Sequence, residues 1–104
     1  MEPQSELFSN HHSVFQAEHV LGHQARLSKR RGAEIRRIRK KSGLTAVQVA
    51  LDLGIHPTRL SRIEAGSSGF ADAEFEHFCK ITQPHSDDRS AVARLTAELD
   101  ALAV

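Results

Sequence analysis

Residues 23–62 hold eleven of the fourteen Lys and Arg residues and only two acids, Glu34 and Asp52. That block carries +9, residues 1–22 carry −3 and residues 63–104 carry −5. A block of cations between acidic flanks suits a polyanion, because clustered Lys and Arg neutralise neighbouring phosphates together. Most charge runs are solvated helix faces, so the block needs a structural frame before it means more. Other chemistry is thinner. His19 and His23 in "HVLGH" stand four apart, the spacing of a metal-binding pair on a helix, with His11 and His12 nearby in sequence. No cysteine pair and no carboxylate offers a convincing third ligand, so solvated histidines are the simpler reading and no metal is expected. Cys79 lies among phenylalanines and reads as a small buried hydrophobe. A single cysteine excludes an internal disulfide framework. No nucleophile–base pair, glycine-rich phosphate loop or metal triad is visible, so neither catalysis nor a cofactor is expected.

The elements that must position the cations are all helical. Residues 5–30 read as an N-terminal helix, with Leu7, Val14 and Leu21, and Phe8 and Phe15, each recurring at seven. Gly22 weakens that helix. Residues 33–42 form a short amphipathic helix with Ile35 and Ile38 inward, bracketed by Gly32 and Gly43. Thr45 opens the next helix with a capping box to Gln48, and Gly54 stops it. Pro57 suits the first position of a further helix, which ends at Gly66. Asp72 is expected to cap a fourth, in which Phe75, Phe78 and Cys79 make an apolar stripe. Pro84 ends it, and "HSDD" opens the last helix with acids at its positive end. No strand pattern or repeat is present. The expected fold is all-α, a small domain of about five helices over residues 31–104 with a helical extension over residues 1–30. Apolar runs are too short to cross a membrane and "MEPQSELFSNHH" is not a secretory signal, so a cytoplasmic location is expected.

Within this frame, "GLTAVQVALDLGIHPTRLSRIEAG" reads as a helix-turn-helix. Ala50 lets two helices cross closely, Gly54 turns the corner, and Val49, Leu53, Ile55, Leu60 and Ile63 hold both helices on the domain. The outward residues at the start of the second helix are then free to enter a major groove. This set of positions is far more specific than a charge run.

The stretch "IRRIRKKSGLTAVQVALDLGIHPTRLSRIEAG" resembles the phage-repressor/Cro-type (XRE-family) helix-turn-helix, firmly over residues 33–66 and fading through about residue 82. The resemblance implies a sequence-specific DNA-binding transcriptional regulator, a repressor in the simplest case. It implies a structural ion pair between Arg39 and Glu64. It places Pro57 and Thr58 nearest the groove and Arg62 one turn on, where an arginine can take guanine O6 and N7 together. Arg59 and Ser61 are expected to reach a base edge or a phosphate, and His56 to touch the DNA backbone. Arg36, Arg37, Lys40 and Lys41 are the expected phosphate contacts. Three departures matter. Where many members have a glutamine, this chain has Ala46, leaving the backbone N–H groups at Thr45 and Ala46 to take a phosphate. Pro57 removes a donor at the groove-facing end. Phe70 stands near the place of a proline that commonly follows the unit.

Val92, Leu95, Leu99 and Leu102 are spaced three, four and three, a seam that fits either intrachain core or a two-fold contact. One recognition helix reads few base pairs, so a homodimer through this seam is expected. Two rivals remain: an antitoxin-type protein that also binds a toxin through its N-terminal helix, and a non-DNA protein-binding adaptor.

Overall fold

A computed structural model describes the backbone of residues 2–103 and the side chains of residues 19–103. The side chains of Leu7, Phe8, His11, His12, Val14 and Phe15 lie outside the described residues. Five helices follow in order: α1 (Glu2–Lys41), α2 (Ala46–Leu53), α3 (Pro57–Ala65), α4 (Asp72–Thr82) and α5 (Ser86–Leu102). The fold is all-α, with no strand among the described residues. Helix α1 lies against α5 and α3, and α2 lies against α3 and α4.

The core is the set of positions at helical spacing on the inner faces. Ile35, Ile38, Val49, Ala50, Leu60, Ile63, Phe70, Phe78 and Val92 form one buried cluster, with Leu44, Leu53, Ile55, Phe75 and Ile81 packed around it. Phe70 is buried and meets Phe75 and Phe78 edge-to-face, at centroid distances of 6.3 and 5.9 Å. Phe70 is therefore a core anchor, and such contacts add about 0.5–1.5 kcal/mol each beyond simple burial. Cys79 is buried and unpaired, and burial pushes its thiol up, towards the neutral form.

Three features differ from the sequence reading, each for a local reason. The helices expected over 5–30 and 33–42 are one continuous helix. Gly32 does not start a helix; it lets α1 approach the end of α3. A Cβ there would lie 2.4 Å from the Glu64 carbonyl oxygen and 2.6 Å from that of Ile63. At Gly22, by contrast, a Cβ would meet only the Arg26 guanidinium, at 3.8 Å, an ordinary contact. Asp72 is not the cap of α4 but its first residue. The capping residue is Ala71, which has no side-chain acceptor, and the Glu74 carboxylate reaches back to accept its N–H at 3.1 Å. Finally, the seam splits. Val92 and Leu95 are buried within the chain at 1% and 6% exposure, so they cannot meet a second copy, while Leu99 and Leu102 are half-buried. Leu27, one helical turn before Arg31, is also buried, at 2% exposure.

Candidate nucleic-acid interface

The geometry of α2 and α3 is set by their ends. Thr45 Oγ1 accepts the Gln48 N–H at 3.2 Å, and Gln48 Oε1 accepts the Thr45 N–H at 2.8 Å. These reciprocal bonds satisfy donors that every helix start leaves open. At the corner, Gly54 takes φ of 73°, where a side chain would be strained. Its N–H donates to the Leu51 carbonyl and that of Ile55 to Ala50, closing α2 with two bonds. His56 then caps α3, its Nδ1 accepting the Thr58 N–H at 3.1 Å. That bond occupies Nδ1 and not Nε2, on an exposed residue. Pro57 follows at the first turn, where it has no N–H to waste.

Behind the pair, Arg39 ties α1 to α3. Its Nε donates to Glu64 Oε2 at 2.7 Å, Nη2 donates to Oε1 at 3.0 Å, and Nη1 donates to the Leu44 carbonyl at 3.1 Å. Both side chains are nearly covered, at 11% and 9% exposure. The Glu64 hydrogen bonds outweigh the burial of the guanidinium and raise its pKa, so the charge is firmly held. This pair fixes the far end of α3 relative to α1, and so the angle at which α3 is presented.

The outward face of α3 carries Thr58, Ser61 and Arg62, all exposed, with Pro57 half-buried beside them. Arg62 pairs with none of the described carboxylates. Arg36, Ala46 and Ser61 line one open cleft of about 350 Å³, with the Arg39–Glu64 pair at its floor. This cleft brings a cation, the first residue of α2 and a hydroxyl of α3 to one place beside the Arg39–Glu64 ion pair. Lys40 is exposed alongside, on α1.

The other cations in the sequence reading are engaged. Arg37 Nη2 lies 2.6 Å from both Glu34 Oε2 and Asp88 Oδ1, and Lys41 Nζ lies 3.2 Å from Asp88 Oδ2. These contacts tie α1 to the start of α5, and the hydrogen bond from Arg37, then that from Lys41, holds the Asp88 carboxyl below its ordinary range. Arg59, expected at a base or phosphate, instead forms a two-point ion pair with Glu74 of α4. The sequence reading missed both carboxylates as counter-ions. In the sequence Asp88 reads only as a helix-start acid, and Glu74 stands fifteen residues from Arg59 with no local periodicity linking them.

The characteristic sequence of a family described as "Helix-turn-helix domain" matches residues 32–99, well over half of the chain. The chain belongs to the helix-turn-helix domain family. It is thus of the DNA-binding type, and the α2–turn–α3 unit is the family's defining piece. No curated protein resembles the chain at a significant level. The helix-turn-helix match begins at Gly32, the residue where α1 touches α3, and so leaves out most of α1. On that outer part, His19 and His23 are exposed, and no group of three metal-ligating side chains occurs among the described residues. No helix among the described residues is long and apolar enough to cross a membrane.

Proposed function

We propose that this helix-turn-helix protein is a sequence-specific transcriptional regulator of bacterial or phage type. It reads the major groove with α3 and acts by occupying an operator, as a homodimer. The observation that carries the reading is the exposed Arg62, which pairs with no described carboxylate, beside Thr58 and Ser61 on a helix held by the Arg39–Glu64 pair. In this reading Arg62 takes a guanine edge. Thr58, Ser61 and Pro57 shape the base contact. Arg36, Lys40, His56, the Thr45 hydroxyl and the Ala46 N–H take phosphates. Residues 31–104 are the DNA-binding unit and residues 1–30 an extension. Because Val92 and Leu95 are interior, the dimer contact is carried by Leu99 and Leu102 and their surroundings rather than by the whole seam.

A second reading rests on its own observation. Val20 and Leu21 of α1 are 38% and 63% exposed, on a stretch outside the family match. Apolar side chains on an extended helix suit a protein partner, as an antitoxin-type helix-turn-helix protein would require.

The test is anisotropy binding to the DNA upstream of the protein's own gene and to a scrambled duplex, over a salt series. A regulator binds the upstream site tightly, with log K falling steeply against log salt. Equal weak binding to both duplexes removes sequence specificity from the proposal. Absence of binding at low salt removes DNA as the partner.

A further inference from the structure

Arg59 and Arg62 stand three residues apart on the same short helix, and their surroundings differ. Arg62 is exposed and pairs with no described carboxylate. Arg59 is half-buried with both terminal nitrogens occupied: Nη1 donates to Glu74 Oε2, and Nη2 donates to Oε1 at 2.8 Å and to the Gly69 carbonyl at 3.4 Å. The carboxylate is itself anchored. Glu74 Oε1 also accepts the Ala71 N–H, so the group is fixed to the start of α4 and does not swing with the arginine. Its hydrogen bond to Arg59 holds the Glu74 carboxyl below its ordinary range.

A guanidinium in a two-point contact has its planar fork already filled, and its charge is offset locally. To meet a phosphate or a guanine edge, Arg59 would have to give up one ionic two-point contact for another and leave an anchored carboxylate facing DNA. We infer that Glu74 is a positioning residue that withholds Arg59 from DNA and leaves Arg62 as the arginine of α3 that reads it. The consequence is selectivity. One less cation meets the phosphates, so sequence-independent binding is weaker, while the base-reading arginine is untouched.

The inference rests on the DNA-binding reading, and its test separates the two. The proteins are the wild type, Arg59→Met, Glu74→Gln and the double variant. Glu74→Gln keeps an oxygen for the Ala71 N–H but removes the charge. Each is titrated against a mixed-sequence duplex over a salt series, after thermal melting shows that it is folded. The wild type and the double variant share one salt slope, and Arg59→Met, which strands the Glu74 carboxylate, is no steeper. Glu74→Gln steepens it by about 0.9, which is roughly a threefold greater loss of affinity between about 50 and 200 mM salt. The double variant returns to the wild-type slope, a coupling that a merely structural role for Glu74 would not produce. A wild type that binds, with the double variant shallower than it by about 0.9, overturns the withholding. So does a double variant as steep as Glu74→Gln. If Glu74→Gln does not fold, the slope of the double variant against that of the wild type decides alone. A wild type with no salt-sensitive binding sinks the DNA-binding reading and this inference together.

Discussion

Replacing Arg39 by alanine tests how α3 is held. The substitution removes both bonds to Glu64 and the bond to the Leu44 carbonyl. It leaves the Glu64 carboxylate at 9% exposure with no described cation in its place. Stranding one member of a covered ion pair costs about 3–5 kcal/mol, most of it from the uncompensated charge. A domain of this size has only about 5–15 kcal/mol in total, so the loss is a large share. With a urea dependence near 1.5 kcal/mol per molar, the unfolding midpoint falls by about 2–3 M. Arg39→Lys keeps the charge but loses the fork, and it falls between the two. Removing both partners, as Arg39→Met with Glu64→Leu, costs far less than Arg39→Ala, because no charge is left stranded. Urea unfolding by circular dichroism measures all four proteins, and Arg39→Ala with Glu64→Ala completes a double-mutant cycle. A loss below about 1 kcal/mol for Arg39→Ala, with additive single effects, would refute the claim that this pair fixes α3 to α1.

Four further outcomes are expected. Arg62→Ala relaxes base preference at one operator position and costs about 1–3 kcal/mol on the cognate site, whereas equal loss on every sequence would reduce Arg62 to a phosphate contact. Gly22→Ala raises the melting temperature through about 0.5–1 kcal/mol of helix propensity, while Gly32→Ala lowers it, since its Cβ overlaps the α3 backbone at a cost of about 1–3 kcal/mol or more that exceeds the same propensity gain; matched shifts in one direction would contradict the close approach of α1 and α3. Ala71→Ser supplies the missing acceptor at the start of α4 and stabilises by about 1 kcal/mol, read as a higher urea midpoint. The carboxyls of Glu74 and Asp88 are held low by Arg59 and by Arg37 with Lys41, so each binds its proton more weakly folded than unfolded. Their contribution is complete above the ordinary carboxylate range, near pH ~4, and is lost as pH falls through it towards the lower folded values. Melting between about pH 7 and pH 3 should therefore show a drop confined to the acid side, part of which is absent in Glu74→Gln; a flat profile would remove these pairs from the stability account.

The local features were legible because they are short-range. The capping box at Thr45 and Gln48, the corner at Gly54 and the helix start at Pro57 each depend on residues within five positions, and all form as read. The inward faces of α2 and α3 follow from helical spacing, and Val49, Ala50, Leu60 and Ile63 are buried as that spacing requires. The Arg39–Glu64 bonds span twenty-five residues, and only the family resemblance pointed to them. Gly32 shows the limit of a local rule: glycine ends helices by its backbone freedom, but here its missing side chain lets two backbones touch. The seam Val92–Leu95–Leu99–Leu102 had the same spacing whether it faced its own chain or another, and the packing of α5 on α1 turned its first half inward. The cation block was visible as composition, yet which cations stay free depended on Glu74 and Asp88, brought by the fold from fifteen and fifty-one positions away. Sequence alone determined the ends of α2 and α3 and the kind of unit they build, because those interactions close within a turn or two of chain. Tertiary structure alone decided which of the arginines face outward, because a guanidinium is free or held according to the carboxylate that packing sets beside it.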